Sequence, residues 1–329
     1  MSTGEALIFA LPRPDISAWR AGNTGTEGVW QFDSGRSGRH VLVSALVHGN
    51  ELCGAWALKG LLEQAIRPRV GKLTLAFCNL AAFDNFDAAH HDASRFVQED
   101  LNRQWAHERM ASGSTLERRQ AAQLRPFVEA ADWLLDLHSM HEPGAPLLLT
   151  GLYQRNIDLA RALGNPEHVV VDVGHQDGVR MRDFGRFGLP DSQAPQTRSL
   201  LIECGFHGDL QSRAVAQDVC ARFLVASGLL DTADEARLLP GWRQTDATCQ
   251  WALRVTDQVV AHSEHFCFTG AFQGLEIIEK AGTVIGHHDG KGLGLAVTTP
   301  YDQCVLVMPS VRQAKAGVTV VRLATRQSI

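Results

Sequence analysis

The run Val41-Leu42-Val43-Ser44-Ala45-Leu46-Val47 restricts the fold more than any other stretch of this chain. It is apolar at successive residues rather than alternate ones, so as a strand it must be covered on both faces. It breaks at Gly49-Asn50, and a helix rich in small residues follows over 54–65, stopped by Pro68. Open α/β sheets place their ligands beyond the carboxyl ends of the strands, and His48 and Glu51 fall at that end. The spacing His-x-x-Glu lets an imidazole and a carboxylate converge on one point. Taken alone, the pair also reads as a loop histidine and a helix-start acid that suits the helix dipole.

The pattern recurs. Residues 72–78, 133–137, 146–150, 168–173 and 198–202 read as further strands, and helices are expected between them. Ser114-Thr115-Leu116-Glu117 has the form of a capping box opening a helix to about residue 131. Another helix covers 156–163 and ends at Gly164, and Asp209 caps a long one through 225. Strands alternating with helices predict a mixed, mainly parallel sheet with helices on both faces. The segment 79–99 has no apolar periodicity, and long loops of that kind are usually functional or disordered. Composition changes near Leu238-Leu239-Pro240-Gly241, beyond which only short strand-like runs appear. The expected organisation is an α/β domain over 1–240 and a small all-β domain over 241–329.

Composition narrows the function. A chain of 329 residues, 45% of them hydrophobic, can bury a large core. A net charge of −5 without a long basic run gives no reason to expect nucleic acid as a partner. No apolar run approaches the roughly 18 residues of a membrane helix, and the opening Met1-Ser2-Thr3-Gly4-Glu5 is unlike a signal peptide. The seven cysteines are scattered and form no CxxC, as expected of reduced core residues in a cytoplasmic protein.

Four expected strand ends carry polar groups: His48 with Glu51, the loop ending Asp100-Leu101-Asn102-Arg103, Asp136-Leu137-His138, and Glu203. Two imidazoles and one carboxylate, with a fourth position open, is how a catalytic zinc is held. Asp136 shares a strand face with His138 and can orient that imidazole. An acid directly after Leu200-Leu201-Ile202 is costly unless it is paired.

These motifs, in this order and with Arg95 and Gly205 beside them, resemble the succinylglutamate desuccinylase/aspartoacylase branch of the zinc carboxypeptidase superfamily over about residues 40–225. The resemblance implies one zinc per chain, held by His48, Glu51 and His138. It makes Glu203 the general base that activates water and then protonates the leaving amine. Asn102 and Arg103 would hold the substrate's carboxylate, Arg95 would polarise the scissile carbonyl, and Tyr301 would come in from the C-terminal domain. The implied reaction is hydrolysis of the amide of a small N-acyl amino acid. A zinc carboxypeptidase acting on short peptides is an alternative. So is a non-catalytic zinc protein that binds a partner through its β domain.

The chain also departs from that pattern. Gln193 stands where the aspartoacylases carry an arginine for an acidic acyl group, with Arg186 and Arg198 the nearest cations, and Ser139-Met140-His141-Glu142 matches no specific member. His90, His91, His141 and His207 read as solvated or supporting residues, and His287-His288 as part of a turn. Nothing in the pattern fixes the acyl group, and a homo-oligomer remains open.

Overall fold

The computed structural model describes residues 8–174, 177–290, 294–312 and 314–329. The N-terminal residues Met1 to Glu5 lie outside them. The strands are β1 (Val29–Asp33), β2 (His40–Ala45), β3 (Lys72–Phe77), β4 (Trp133–Met140), β5 (Leu147–Leu149), β6 (His168–Val171) and β7 (Arg198–Phe206), followed by β8 (Trp251–Val260), β9 (Cys267–Phe268), β10 (Ile277–Ile278), β11 (Val284–His287), β12 (Ala296–Thr298), β13 (Cys304–Val307) and β14 (Thr319–Ser328). The helices are α1 (Leu52–Glu63), α2 (Leu80–Asp84), α3 (His107–Ser112), α4 (Leu116–Ala130), α5 (Gln154–Leu163), α6 (Leu210–Ala226) and α7 (Thr232–Leu238).

The continuous apolar pattern of β2 is explained by what covers it. Val41 and Val43, with Leu135 of β4, pack in one core with residues of α1, α5 and α6. Leu42 and Leu134 face the other way, against Leu124 and Val128 of α4. Gly54 lets α1 approach that closely, since a Cβ there would come within 2.8 Å of Leu137 Cβ and 2.9 Å of Ala45 Cβ.

The large sheet runs β1-β3-β2-β4-β7-β5-β6-β8-β14-β13-β10. Its centre, β3-β2-β4-β7, is parallel. The sheet as a whole is mixed: among β1 to β7 the pairings β2–β3, β2–β4, β4–β7 and β5–β6 are parallel and β1–β3 and β5–β7 antiparallel. β5 lies antiparallel to β7 because only residues 141–146 separate β4 from β5, too short for a crossover helix. From β8 onward the neighbours β14, β13 and β10 are all antiparallel. Among the described residues after Leu238 every strand or helix is a strand. β8 pairs in parallel with β6, so these strands extend the same sheet, and β12-β11-β9 form a separate small one.

The expected capping box does not form, because Thr115 rather than Ser114 is the N-cap of α4. Thr115 Oγ1 accepts from the Arg118 N–H at 3.4 Å, but Glu117 does not turn back to its own helix end. Its buried carboxylate accepts instead from the backbone N–H groups of Val97 at 2.7 Å and Glu99 at 3.2 Å, and from the Asn79 amide at 3.3 Å. Burying that charge is tolerable because those donors satisfy it. They pin the loop that leads into Asp100.

Candidate active site

Beyond β2 the chain bends sharply. Leu46 adopts a left-handed φ of 56°, a strained setting for leucine of the kind that clusters at functional sites. Gly49 then donates its N–H to the Arg95 carbonyl at 3.0 Å. A Cβ on Gly49 would sit 2.4 Å from the Ala82 carbonyl carbon and 2.5 Å from the Ser94 oxygen. Glycine is therefore what allows the 79–99 segment to close over the turn that carries His48 and Glu51.

His48 Nδ1 lies 2.8 Å from Glu51 Oε1, and His138 Nδ1 lies 2.7 Å from Glu51 Oε2. All three side chains are buried, and one ligand atom from each lies within 4.8 Å of the others. Glu51 Oε2 has no aligned hydrogen bond despite its close approach to His138. Burial opposes the Glu51 charge, but the His48 and His138 rings outweigh it and hold the carboxyl well below the usual range. Burial likewise opposes a charge on His138, and Asp136 with Glu51 more than offsets it, raising that ring well above its ordinary value.

The outer nitrogen of each ring is also held. His138 Nε2 lies 2.8 Å from Asp136 Oδ2, which the sequence pattern anticipates, and Ser44 Oγ donates to Asp136 Oδ1 at 2.8 Å. His48 Nε2 lies 2.9 Å from Asp100 Oδ1, a role the sequence pattern does not reveal. Carboxylates on the outer nitrogens fix each ring so that Nδ1 faces inward, the arrangement found around zinc-ligating histidines. Two inward Nδ1 atoms and an unsatisfied carboxylate oxygen form a donor set that fits a zinc ion.

Glu203 stands directly across from His138 in the parallel β4–β7 register, so both side chains leave the same face of the sheet. Its Oε2 is buried without a partner. Burial, reinforced by the Glu51 charge, raises its carboxyl to about 8, against the pull of His138 and Arg95. Arg95 donates to Asp100 Oδ2 at 3.1 Å, lies 3.5 Å from Glu51 Oε1, and meets His141 Nε2 at 3.2 Å. His48, Glu51, His138, Glu203 and Arg95 thus share one centre.

Arg103 borders this centre through Asp100, 4.0 Å away, and contacts Asp177 at 3.1 Å. Asn102 is buried, and its Oδ1 accepts from the Met181 N–H at 3.0 Å, so this oxygen anchors the 178–183 segment. Tyr301 is not brought to the centre. Its hydroxyl meets Thr256 Oγ1 at 2.7 Å on the outer strands, and its ring packs with Phe266 and Leu306. Arg186 and Arg198 bond to backbone carbonyls, of Ala131 and Pro195 among others. The buried ion pair of Arg180 with Asp172, 3.2 Å apart, and the buried Arg322 of β14, 3.9 Å from the same carboxylate, escape the sequence reading because only the fold brings them together.

A second group, Asp92, His141 and His207, also has ligand atoms within 4.8 Å of one another. Arginine can only donate, so His141 Nε2 accepts from Arg95 and the ring proton sits on Nδ1, donating to Asp92 Oδ1 at 2.8 Å. That proton occupies the position a metal would need. The group reads as a chain of contacts supporting Arg95, and Arg312 ties into it 3.6 Å from Asp92 Oδ2.

Residues 37–184 match the model of the Succinylglutamate desuccinylase/Aspartoacylase catalytic domain. Over these residues the chain is similar to the succinylglutamate desuccinylase/aspartoacylase family. The matched stretch contains His48, Glu51, Arg95, Asn102, Arg103 and His138, and Glu203 lies beyond it. Several solved structures share the fold. One, a succinylglutamate desuccinylase/aspartoacylase from Rhodobacter sphaeroides, is 17% identical, with a TM-score of 0.60 over 89% of this chain and 87% of that one. Another, a succinylglutamate desuccinylase from Vibrio cholerae, is 14% identical, with a TM-score of 0.62 over 92% and 89%. A third, the product-bound ectoine utilization protein EutE (DoeB) from Ruegeria pomeroyi, is 17% identical, with a TM-score of 0.59 over 88% and 86%. A comparison with curated proteins finds no match. Among the described residues no helix is long and apolar enough to cross a membrane.

Proposed function

We propose that this protein is a zinc-dependent hydrolase that cleaves the amide bond of a small N-acyl amino acid. The observation that carries this reading is the convergence of His48 Nδ1, His138 Nδ1 and Glu51 in a buried cluster, with Glu203 beside it on the neighbouring strand. Zinc, when bound there, supplies Lewis acidity and makes water a nucleophile near neutral pH.

The chain's own residues divide the remaining work. Glu203 takes the proton of the attacking water and returns it to the leaving amine, a role its buried, unpartnered Oε2 beside His138 leaves it free to play. Arg95, fixed by Asp100 and His141, presents a guanidinium to the oxygen on which negative charge develops. Arg103 and Asn102 lie on the Asp100 side of Arg95, where a planar guanidinium suits the amino acid's carboxylate. The chain fits one zinc, a small-molecule substrate and an α/β unit over 1–240 followed by β structure over 241–329.

Turnover of N-acyl amino acids, read by release of the free amine, tests the reading. Activity should stop on chelation and return with zinc. Turnover that survives full removal of metal would sink it. Faster cleavage of dipeptides than of acyl-amino acids would favour a carboxypeptidase.

A further inference from the structure

We infer that the acyl group of the substrate is short, aliphatic and uncharged, and that it lies in the apolar cavity between the β4–β5 turn and the strands β10 and β13. This inference rests on the deacylase reading above for the identity of the occupant. The cavity measures about 50 Å³. Its apolar lining comes from Met140, Ala145 and Leu147 on one side and from Leu275, Met308 and Pro309 on the other.

Register places it beside the reacting centre. His138 of β4 pairs with Glu203 of β7, and Glu203 pairs with Leu147 of β5. Directly paired residues project from the same face, so metal ligand, general base and cavity wall form one lateral row across three strands. At about 4.8 Å per strand, the row from His138 to Leu147 spans roughly 10 Å. The side chains of His138 and Leu147 reach into that span, so a short acyl chain need cross only part of it.

Direction follows from Arg95. Its Nη2 meets Asp100, which Arg103 also borders, and its Nη1 meets His141. His141 is itself part of the cavity wall. A substrate whose carboxylate sits at Arg103 and whose carbonyl sits at Arg95 therefore sends its acyl chain past His141 into the cavity.

Size and charge select the chain. At about 10–15 Å³ per water-sized group, 50 Å³ holds roughly four such groups, which corresponds to a butanoyl or pentanoyl chain. Neither lysine nor arginine lines the cavity among the described residues. The lining carboxylate, Glu142, is engaged by Arg312 Nε at 2.7 Å and by Ser310 Oγ at 3.2 Å. A succinyl group would bring a second carboxylate toward Glu142 with no cation in the wall to receive it.

The test is calorimetric binding to the zinc-loaded Glu203→Gln protein, which should bind without turnover. The ligands are acetyl, butanoyl, pentanoyl, octanoyl and succinyl derivatives of alanine, glutamate and lysine. Affinity should rise about fourfold per methylene from acetyl to pentanoyl and level off at octanoyl, with succinyl weaker than butanoyl. Gly274→Val narrows the cavity, and since a Cβ at Gly274 meets nothing nearer than Gly144 Cα at 3.8 Å, the fold should accept it. That change should abolish the gain from acetyl to pentanoyl and leave acetyl binding unaltered. A flat series, tightest binding of succinyl, or no binding by any member overturns the inference. If the chain-length gain appears but wild type hydrolyses none of the compounds, the deacylase reading fails while the cavity assignment stands. Hydrolysis with a flat series gives the reverse.

Discussion

Asp100 Oδ1 lies 2.9 Å from His48 Nε2, while the other oxygen of the same carboxylate accepts from Arg95 at 3.1 Å. One side chain thus orients a candidate metal ligand and a candidate oxyanion donor together. Burial alone would raise the carboxyl of Asp100, but His48 and Arg95 hold it well below the usual range, so it stays charged. Asp100→Ala should lower zinc affinity about 10- to 100-fold, as loss of such an outer partner usually does. Competition with a chelator of known affinity measures this. Unchanged affinity would show that His48 needs no outer support.

Metal content separates the two histidine groups. The purified protein should carry about one zinc per chain, and His138→Ala should lose most of it because a three-residue site loses a ligand. Two zinc ions per chain would mean that Asp92, His141 and His207 also bind one, contrary to the proton assigned to His141 Nδ1.

Glu203→Gln should keep zinc and fold but lose roughly 10² to 10⁴ in rate. Retention of more than about a tenth of the wild-type rate would place the base elsewhere. The same variant makes a stability prediction for the metal-free protein. Glu203 is raised to about 8 in the fold from an ordinary value of 4.5, so the folded state holds its proton more tightly than the unfolded chain does. The stability this gives is full below about 4.5 and is lost as pH rises through about 8. Melting temperatures of metal-free wild type and Glu203→Gln should therefore agree near pH 4.5 and diverge toward pH 9, with the variant the more stable. Curves that stay parallel over that range would refute the raised carboxyl.

Arg103 and Arg95 should fail differently. Arg103→Ala removes a contact made in ground and transition states alike, so KM should rise more than kcat falls. Truncating one partner of a charged pair in a partly buried site typically costs about 2–5 kcal/mol. Arg95→Ala removes a contact that strengthens as charge develops, so kcat should fall about 10²- to 10³-fold. Steady-state kinetics on an N-acyl amino acid and its methyl ester check both. If wild type uses the ester as readily as the acid, Arg103 is not a carboxylate clamp.

His141→Phe tests the support of Arg95. It removes the acceptor at 3.2 Å from the Arg95 guanidinium without touching a ligand of the first cluster. Zinc content should stay at wild type while kcat falls and KM for an acetylated substrate holds. A loss of zinc instead would assign His141 to the metal.

Local pattern determined the strand ends. The apolar runs before His48, His138 and Glu203 are short and end in polar residues, so they read as strands covered on both faces rather than as buried helices. Asp136, two residues before His138, shares its strand face by the period of the pleat alone. Partnerships across long separations were decided by the tertiary structure. Asp100 reaches His48 across 52 residues, and Glu117 accepts from the N–H groups of Val97 and Glu99 because folding delivers them to it. Sheet direction was likewise settled by geometry: β4 ends in a short turn, so β5 could only return antiparallel, beside Glu203. That return built the cavity wall at Leu147, and pairing of β8 with β6 placed Leu275 and Met308 opposite it. A linear sequence carries periodicity and spacing, whereas contacts between distant residues exist only once the chain has closed its loops and buried its charges in pairs.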